Sequence, residues 1–273
     1  MAERSRLASA VRPYRVLLGA RVRAQSSYRS SFALDLVSSV LVALVELAEV
    51  WVLYRAVDEI GGLDLAAVLV VFGLADTAFS IAGLLVGHVD TLPRYLRAGT
   101  FDIFCLRPLP LLAQLMTSDI TLRRLSRVAV GLTVLIAALF ANDVAFSPVN
   151  CLLIALSLAT GTSICAAVYI AASGVQFFLI DASEMTNSIV YGGRYAATQP
   201  GSVWTRPVVA VFGFAVPMAF TGYLPTLTLL GLPTHWHLPS WVGWAAPLAA
   251  VWMWGLAWLS WRIGTRHYQG GGG

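Results

Sequence analysis

The chain has 273 residues, of which 58% are hydrophobic and 12% charged, and its mean hydropathy is +0.75. A water-soluble domain carries about 25% charged residues, so half that share excludes an ordinary soluble globule and points to a bilayer as solvent. The formal charge is +4 and all 18 basic residues are arginine; they gather at the ends of apolar runs, which fits membrane orientation better than nucleic-acid binding.

The opening stretch MAERSRLASAVRPYR is basic and leads into no apolar core with a cleavage site, so no signal peptide is expected. Within residues 1–31, a cytoplasmic interfacial segment, RPYRVLLGARVRAQ reads as an elbow helix lying on the membrane. Pro13 suits its first turn, and Val16, Leu17, Ala20 and Ala24 can face lipid while the arginines meet phosphates. An unstructured basic anchor is the alternative.

A membrane-spanning helix needs about 20 mostly apolar residues. Six segments qualify, at about 33–55, 66–88, 125–146, 149–180, 207–231 and 240–262. The expected fold class is therefore an all-α membrane protein: one transmembrane domain with a six-helix core over 33–262 and a cytoplasmic tail over 263–273. Seven arginines precede the first span, six lie between the second and third, two (Arg194 and Arg206) between the fourth and fifth, and two after the sixth. Only Arg55 falls at an opposite end, so both termini are expected in the cytoplasm. The fourth segment, at 1.5 Å per residue, reaches roughly 48 Å, and it is expected to continue into the cytoplasm at QFFLIDASE. In the fifth, Pro217 and Pro225 each remove a backbone donor, making AVPMAFTGYLP a bent or re-entrant stretch at the outer side.

Three carboxylates fall inside spans. Glu46 and Glu49 share a face of the first at i, i+3, and Asp76 lies midway along the second, near the depth of Glu46. No arginine lies in the interior of a predicted span, away from its ends, to neutralise them. Intramembrane acids are costly and usually face a bundle interior or a wet cavity. They form either an acidic patch on a transport route for cationic or amphiphilic cargo, or a lock between helices in which they are protonated or bonded to Ser, Thr or Trp. Asp35, near the cytoplasmic end, is expected to reach headgroup arginines.

Residues 94–110, RYLRAGTFDIFCLRPLP, interrupt the apolar pattern. Gly99 can end one short helix, and Thr100 can cap the next through its hydroxyl. Asp102 then lies in the first turn, where the helix dipole favours it, and Pro108 and Pro110 stop the helix. Phe101, Phe104 and Cys105 would share an apolar face. So short a helix must be held by a surface, either lipid headgroups or another protein.

Cys105, Cys151 and Cys165 have neither metal nor disulfide spacing. HWH at 235–237 offers two histidines without a third ligand, so no metal is expected. The nucleophile motif GxSxG and the zinc motif HExxH are missing, which argues against an enzyme. An ATP-independent secondary transporter is the nearer alternative, although the two halves show none of the internal similarity common in such proteins.

Ala98-Gly99-Thr100-Phe101-Asp102 followed by Leu106-Arg107-Pro108 resembles the motif after the second span in bacterial ABC-2 transporter permeases. PVVAVFGFAVPMAFTGYLPTLTLLG over 207–231 resembles the fifth span of that family, and RIGTRHYQGGG its basic terminus. A departure is Gln199-Pro200, where members commonly carry Tyr-Pro. The resemblance implies a six-helix permease subunit of an ATP-driven exporter in the bacterial cytoplasmic membrane. It implies a coupling role for Arg97, Gly99, Thr100, Phe101, Asp102, Phe104, Arg107 and Pro108, with Phe101 and Phe104 making the contact to an ATPase subunit. Pro217, Phe220 and Tyr223 join Glu46, Glu49 and Asp76 as candidate pathway residues. The chain has no GxxxxGK[ST] phosphate loop, so ATP and Mg would be bound by separate ATPase subunits and no cofactor by this chain. A second permease, identical or paralogous, would complete the pathway. Small amphiphilic drugs, toxins or natural products are the expected cargo.

Overall fold

A computed structural model describes residues 29–118, 123–178, 183–234 and 236–268. The expected elbow helix, the side chains of Asp35 and His235, and the glycine tail lie outside these. The described residues are helical, without a β-strand.

Helix α1 (Arg29–Ala56) is apolar on most sides, and Leu34, Val37, Leu41, Val45 and Val52 remain exposed along it. Helix α2 (Leu65–Val86) starts where the Asp64 carboxylate accepts a hydrogen bond from the Ala67 N–H at 2.9 Å, an N-cap. Apolar all round, it occupies the centre of the bundle and is almost wholly buried from Ala67 to Ser80. A 3-10 turn (Gly87–Thr91) carries it into α3 (Leu92–Arg97), and two short helices follow, α4 (Phe101–Cys105) and α5 (Leu111–Ser118). Helix α6 (Arg123–Ala141) returns antiparallel to α2, with Leu135 beside Gly73 and Arg124 beside Gly87. Helix α7 (Pro148–Val175) begins with Ser147 as its cap and Pro148 in its first turn. It runs parallel to α2, ending where the Ser173 hydroxyl donates to the Val89 carbonyl at 3.2 Å. Helix α11 (Ala246–His267) lies along α7 in the same direction, and the Ser260 hydroxyl donates to the Ala171 carbonyl at 2.7 Å.

Five helices are long and apolar enough to cross a membrane: Val37–Ala56, Leu65–Arg97, Arg124–Ala141, Pro148–Val175 and Val242–His267. They match the first, second, third, fourth and sixth expected spans. The expected fifth does not form a continuous helix. Residues Arg206–Ala215 make a short helix, α9, whose last seven residues are π-helical. The chain breaks at Val216–Pro217, makes a 3-10 turn (Met218–Phe220) and ends in α10 (Tyr223–Leu230). Pro217 lacks the N–H that would continue the helix. This hairpin dips into the bundle until Thr221 packs beside Ala78 and Gly161, then climbs back, with Thr228 against Gly243. The stretch is bent at the expected proline, and the expectation of a spanning helix over 207–231 is corrected.

A different segment lies inside the bundle instead. Helix α8 (Ser183–Ala197), expected in a cytoplasmic connection, passes from Asp90, which accepts a hydrogen bond from Tyr191 at 3.1 Å, to the opposite end, where Ser202 packs against Gly61. Arg194 is thus inside the bundle. Arg206 follows Ser202 by four residues, at the end that carries the 57–64 connection.

Candidate functional site

Arg194 on α8 meets both deep carboxylates. Its Nε and Nη2 donate to Asp76 Oδ1 at 3.0 and 2.6 Å, and its Nη1 and Nη2 donate to Glu46 Oε1 and Oε2 at 3.0 and 2.7 Å. The Asp76 side chain is 3% exposed, that of Arg194 11% and that of Glu46 24%. The guanidinium fork suits such bidentate contacts, and it also lies 5.7 Å from the centre of the Phe79 ring. The cluster joins α1, α2 and α8 and carries one net negative charge when all three groups are ionised. The expectation that no span-embedded arginine neutralises these acids is corrected. Glu49, one turn along α1, stays exposed and outside the cluster.

Pro217, Phe220 and Tyr223 are all buried. The Tyr223 ring lies 5.3 Å from that of Trp236, which also stacks near Trp204.

The 94–110 segment folds much as its residues dictate. Gly99 adopts φ +64°, the left-handed conformation that closes a helix, and the Thr100 N–H donates to the Tyr95 carbonyl at 3.1 Å. Thr100 does not cap α4: its hydroxyl donates back to the Tyr95 carbonyl at 3.4 Å. Asp102 in the first turn of α4 accepts from the Tyr268 hydroxyl at 2.8 Å, which ties the segment to the chain beyond α11. Phe101 is 1% exposed and packs edge-on to Phe177 and Tyr268, at 5.4 and 4.9 Å between ring centres. Phe104 turns inward against Tyr95. Phe101 therefore anchors α4 and cannot be a contact surface, contrary to expectation. The outward face instead carries Ile103, Leu106 (84% exposed), Cys105, Arg107 and Pro108, with Arg97 exposed alongside. Gln114, which sequence reading passed over, fixes the loop by donating from Nε2 to the carbonyls of Phe104 and Leu109 at 3.0 and 2.7 Å.

A cavity of about 300 Å³ opens between α1 and the bundle, lined by Ser38, Ser39 and Val42 with Phe79, Ser80, Gly83, Arg124, Arg127, Tyr169 and Tyr191. Arg124 lies in the groove left by Gly83 and Gly87 and donates to both their carbonyls. A side chain at Gly87 would occupy the place of its guanidinium.

A central apolar helix and four further helices long and apolar enough to cross a membrane mark a multi-pass membrane protein. The match to known families is specific: residues 40–272 fit the ABC-2 family transporter proteins, and the chain belongs to that family. Comparison with curated proteins and with solved structures returned no match.

Proposed function

We propose that the chain is the membrane-spanning permease of an ATP-driven exporter, working with a second permease and with separate ATPase subunits. Family membership carries this reading, and the build of the 92–118 segment supports it. An aromatic anchor (Phe101, Phe104, Tyr268) holds a two-turn projection whose exposed tip is apolar at Ile103 and Leu106 and basic at Arg107. Exposed apolar groups on a rigidly anchored tip fit a protein groove better than water. Closure of an ATPase pair on this tip would be passed through α3 into α2, with which it is continuous, and through Tyr268 into α11.

In this reading α8 is the fifth crossing, and the hairpin of α9 and α10 re-enters from the outer side. The termini then face the cytoplasm of a bacterial cell, in its inner membrane. The cluster of Glu46, Asp76 and Arg194 serves as a helix lock on the route, not as a bare acidic receptor. Its excess negative charge and the exposed Glu49 leave an amphiphilic cargo with a cationic group compatible with the pathway. Co-expression with its ATPase subunit tests the reading. The two should purify together, and inverted vesicles should accumulate amphiphilic compounds only with ATP. Uptake driven by a proton gradient through this chain alone would favour a secondary transporter.

A further inference from the structure

The cavity beside α1 has a use that family membership does not assign. Among the described residues its wall carries two arginines, Arg124 and Arg127, three serines and two tyrosines, and no carboxylate. Of the nearby acids among the described residues, Asp76 and Glu46 bind Arg194, and Asp90 accepts from Tyr191 at the cavity wall, where its charge also acts on Arg124. Arg124 donates from Nη1 to the Gly83 carbonyl and from Nη2 to the Gly87 carbonyl, which uses two of its five N–H donors. Ser80 is 4% exposed, lines the cavity, and its hydroxyl has no hydrogen-bond partner among the described residues. A buried hydroxyl without a partner is costly, and a ligand oxygen would remove that cost.

Depth and rim point to the class of ligand. Gly83 lies 18 residues along α2 from Leu65, a rise of about 27 Å. That is near the far boundary of a hydrocarbon layer about 30 Å thick, the level at which lipid phosphates reside. The mouth is edged by Val42, 44% exposed, on a helix whose outward surface is apolar through Leu34, Leu41 and Val45. Basic pockets between spanning helices at this level recognise phosphate-bearing head groups. A volume of about 300 Å³ is at the lower end of the range for ligand pockets.

We propose that this cavity binds a phosphate-bearing head group, with Arg127 and the exposed donors of Arg124 meeting the phosphate, Ser80 donating to one of its oxygens, and the acyl chains lying along α1. The site does not depend on the ATPase partner, so its failure would leave the transport reading standing.

Native mass spectrometry of the full chain in detergent tests it, with three probes: phosphatidylglycerol, diacylglycerol with the same tails, and glycerol phosphate without tails. Phosphatidylglycerol should be retained at least tenfold better than diacylglycerol. Arg127→Gln should lower that retention at least fivefold and Ser80→Ala about threefold, both with unchanged thermal stability. Displacement of the lipid by equimolar glycerol phosphate would assign the site to soluble phosphates, with the same recognition chemistry. Equal retention of diacylglycerol, or full retention by Arg127→Gln, would overturn the proposal.

Discussion

Arg194 and Asp76, 118 positions apart in the chain, form a buried ion pair at 2.6 Å, in which two nitrogens of the guanidinium converge on one carboxylate oxygen. Glu46 closes the cluster from α1, so three helices share one polar junction in an apolar interior. Taking one partner from a buried ion pair strands the other, at a cost of about 3–5 kcal/mol. Replacing Arg194 with Met should therefore destabilise the chain by about that amount in denaturant titrations. Adding Glu46→Gln and Asp76→Asn to that variant should recover most of the loss. A single Arg194→Met variant as stable as wild type would show that the junction carries no structural load.

Phe101 and Leu106 lie five residues apart and should respond in opposite ways. Truncating buried Phe101 to Ala opens a cavity at the junction of Phe177 and Tyr268, and such a change costs about 3–5 kcal/mol. Leu106, 84% exposed, should accept Ser with a change in stability within about 0.5 kcal/mol. Thermal melts of the two variants distinguish an anchor from a tip.

The native cysteines are built-in reporters of topology. Cys105 lies on α4 and Cys151 near the start of α7, at opposite ends of the bundle, and both are exposed; Cys165 is buried. A membrane-impermeant maleimide should label Cys151 in intact cells, and Cys105 only in inverted vesicles. Arg206→Cys should label from the same side as Cys151. Labelling of Arg206→Cys from the cytoplasm would place Arg206 on that side and remove α8 as a crossing.

Cys105 also has a predictable pH response. Partial burial, aided by the nearby Asp102 carboxylate, holds its thiol above the ordinary range. The thiolate is the reactive form, so at neutral pH Cys105 should alkylate more slowly than an unperturbed thiol, and its rate should keep climbing above the pH at which a free cysteine levels off. Replacing Asp102 with Asn should shift that profile to lower pH.

Much of this architecture is legible in the residues. Continuous apolar runs mark five crossings, Pro217 marks the break in the hairpin, and Gly99 marks the left-handed corner before α4. The buried course of α8 was not legible because SEMTNSIVYGGRYAA is polar, carries a Gly pair and contains an arginine. Counting arginines assigns such a stretch to the cytoplasm. Its polar groups are tolerated because residues distant in sequence receive them: Asp90 takes Tyr191, and Asp76 and Glu46 take Arg194. The signal lay in the acids themselves, since two mid-membrane carboxylates require a partner and Tyr191, Arg194 and Thr198 fall at helical spacing. The inward turn of Phe101 was equally hidden, because it depends on Phe177 and Tyr268, which arrive from the ends of α7 and α11.

In the proposed function the ATPase stroke enters this chain at the exposed tip of α4. The most direct measurement compares ATP-driven uptake per ATP hydrolysed in proteoliposomes of the wild-type complex and of an Ile103→Ser/Leu106→Ser variant. The variant should keep its fold and lose at least tenfold in uptake, either by shedding the ATPase or by hydrolysing ATP without transport. Unchanged uptake and unchanged ATPase assembly in that variant would contradict coupling at this surface.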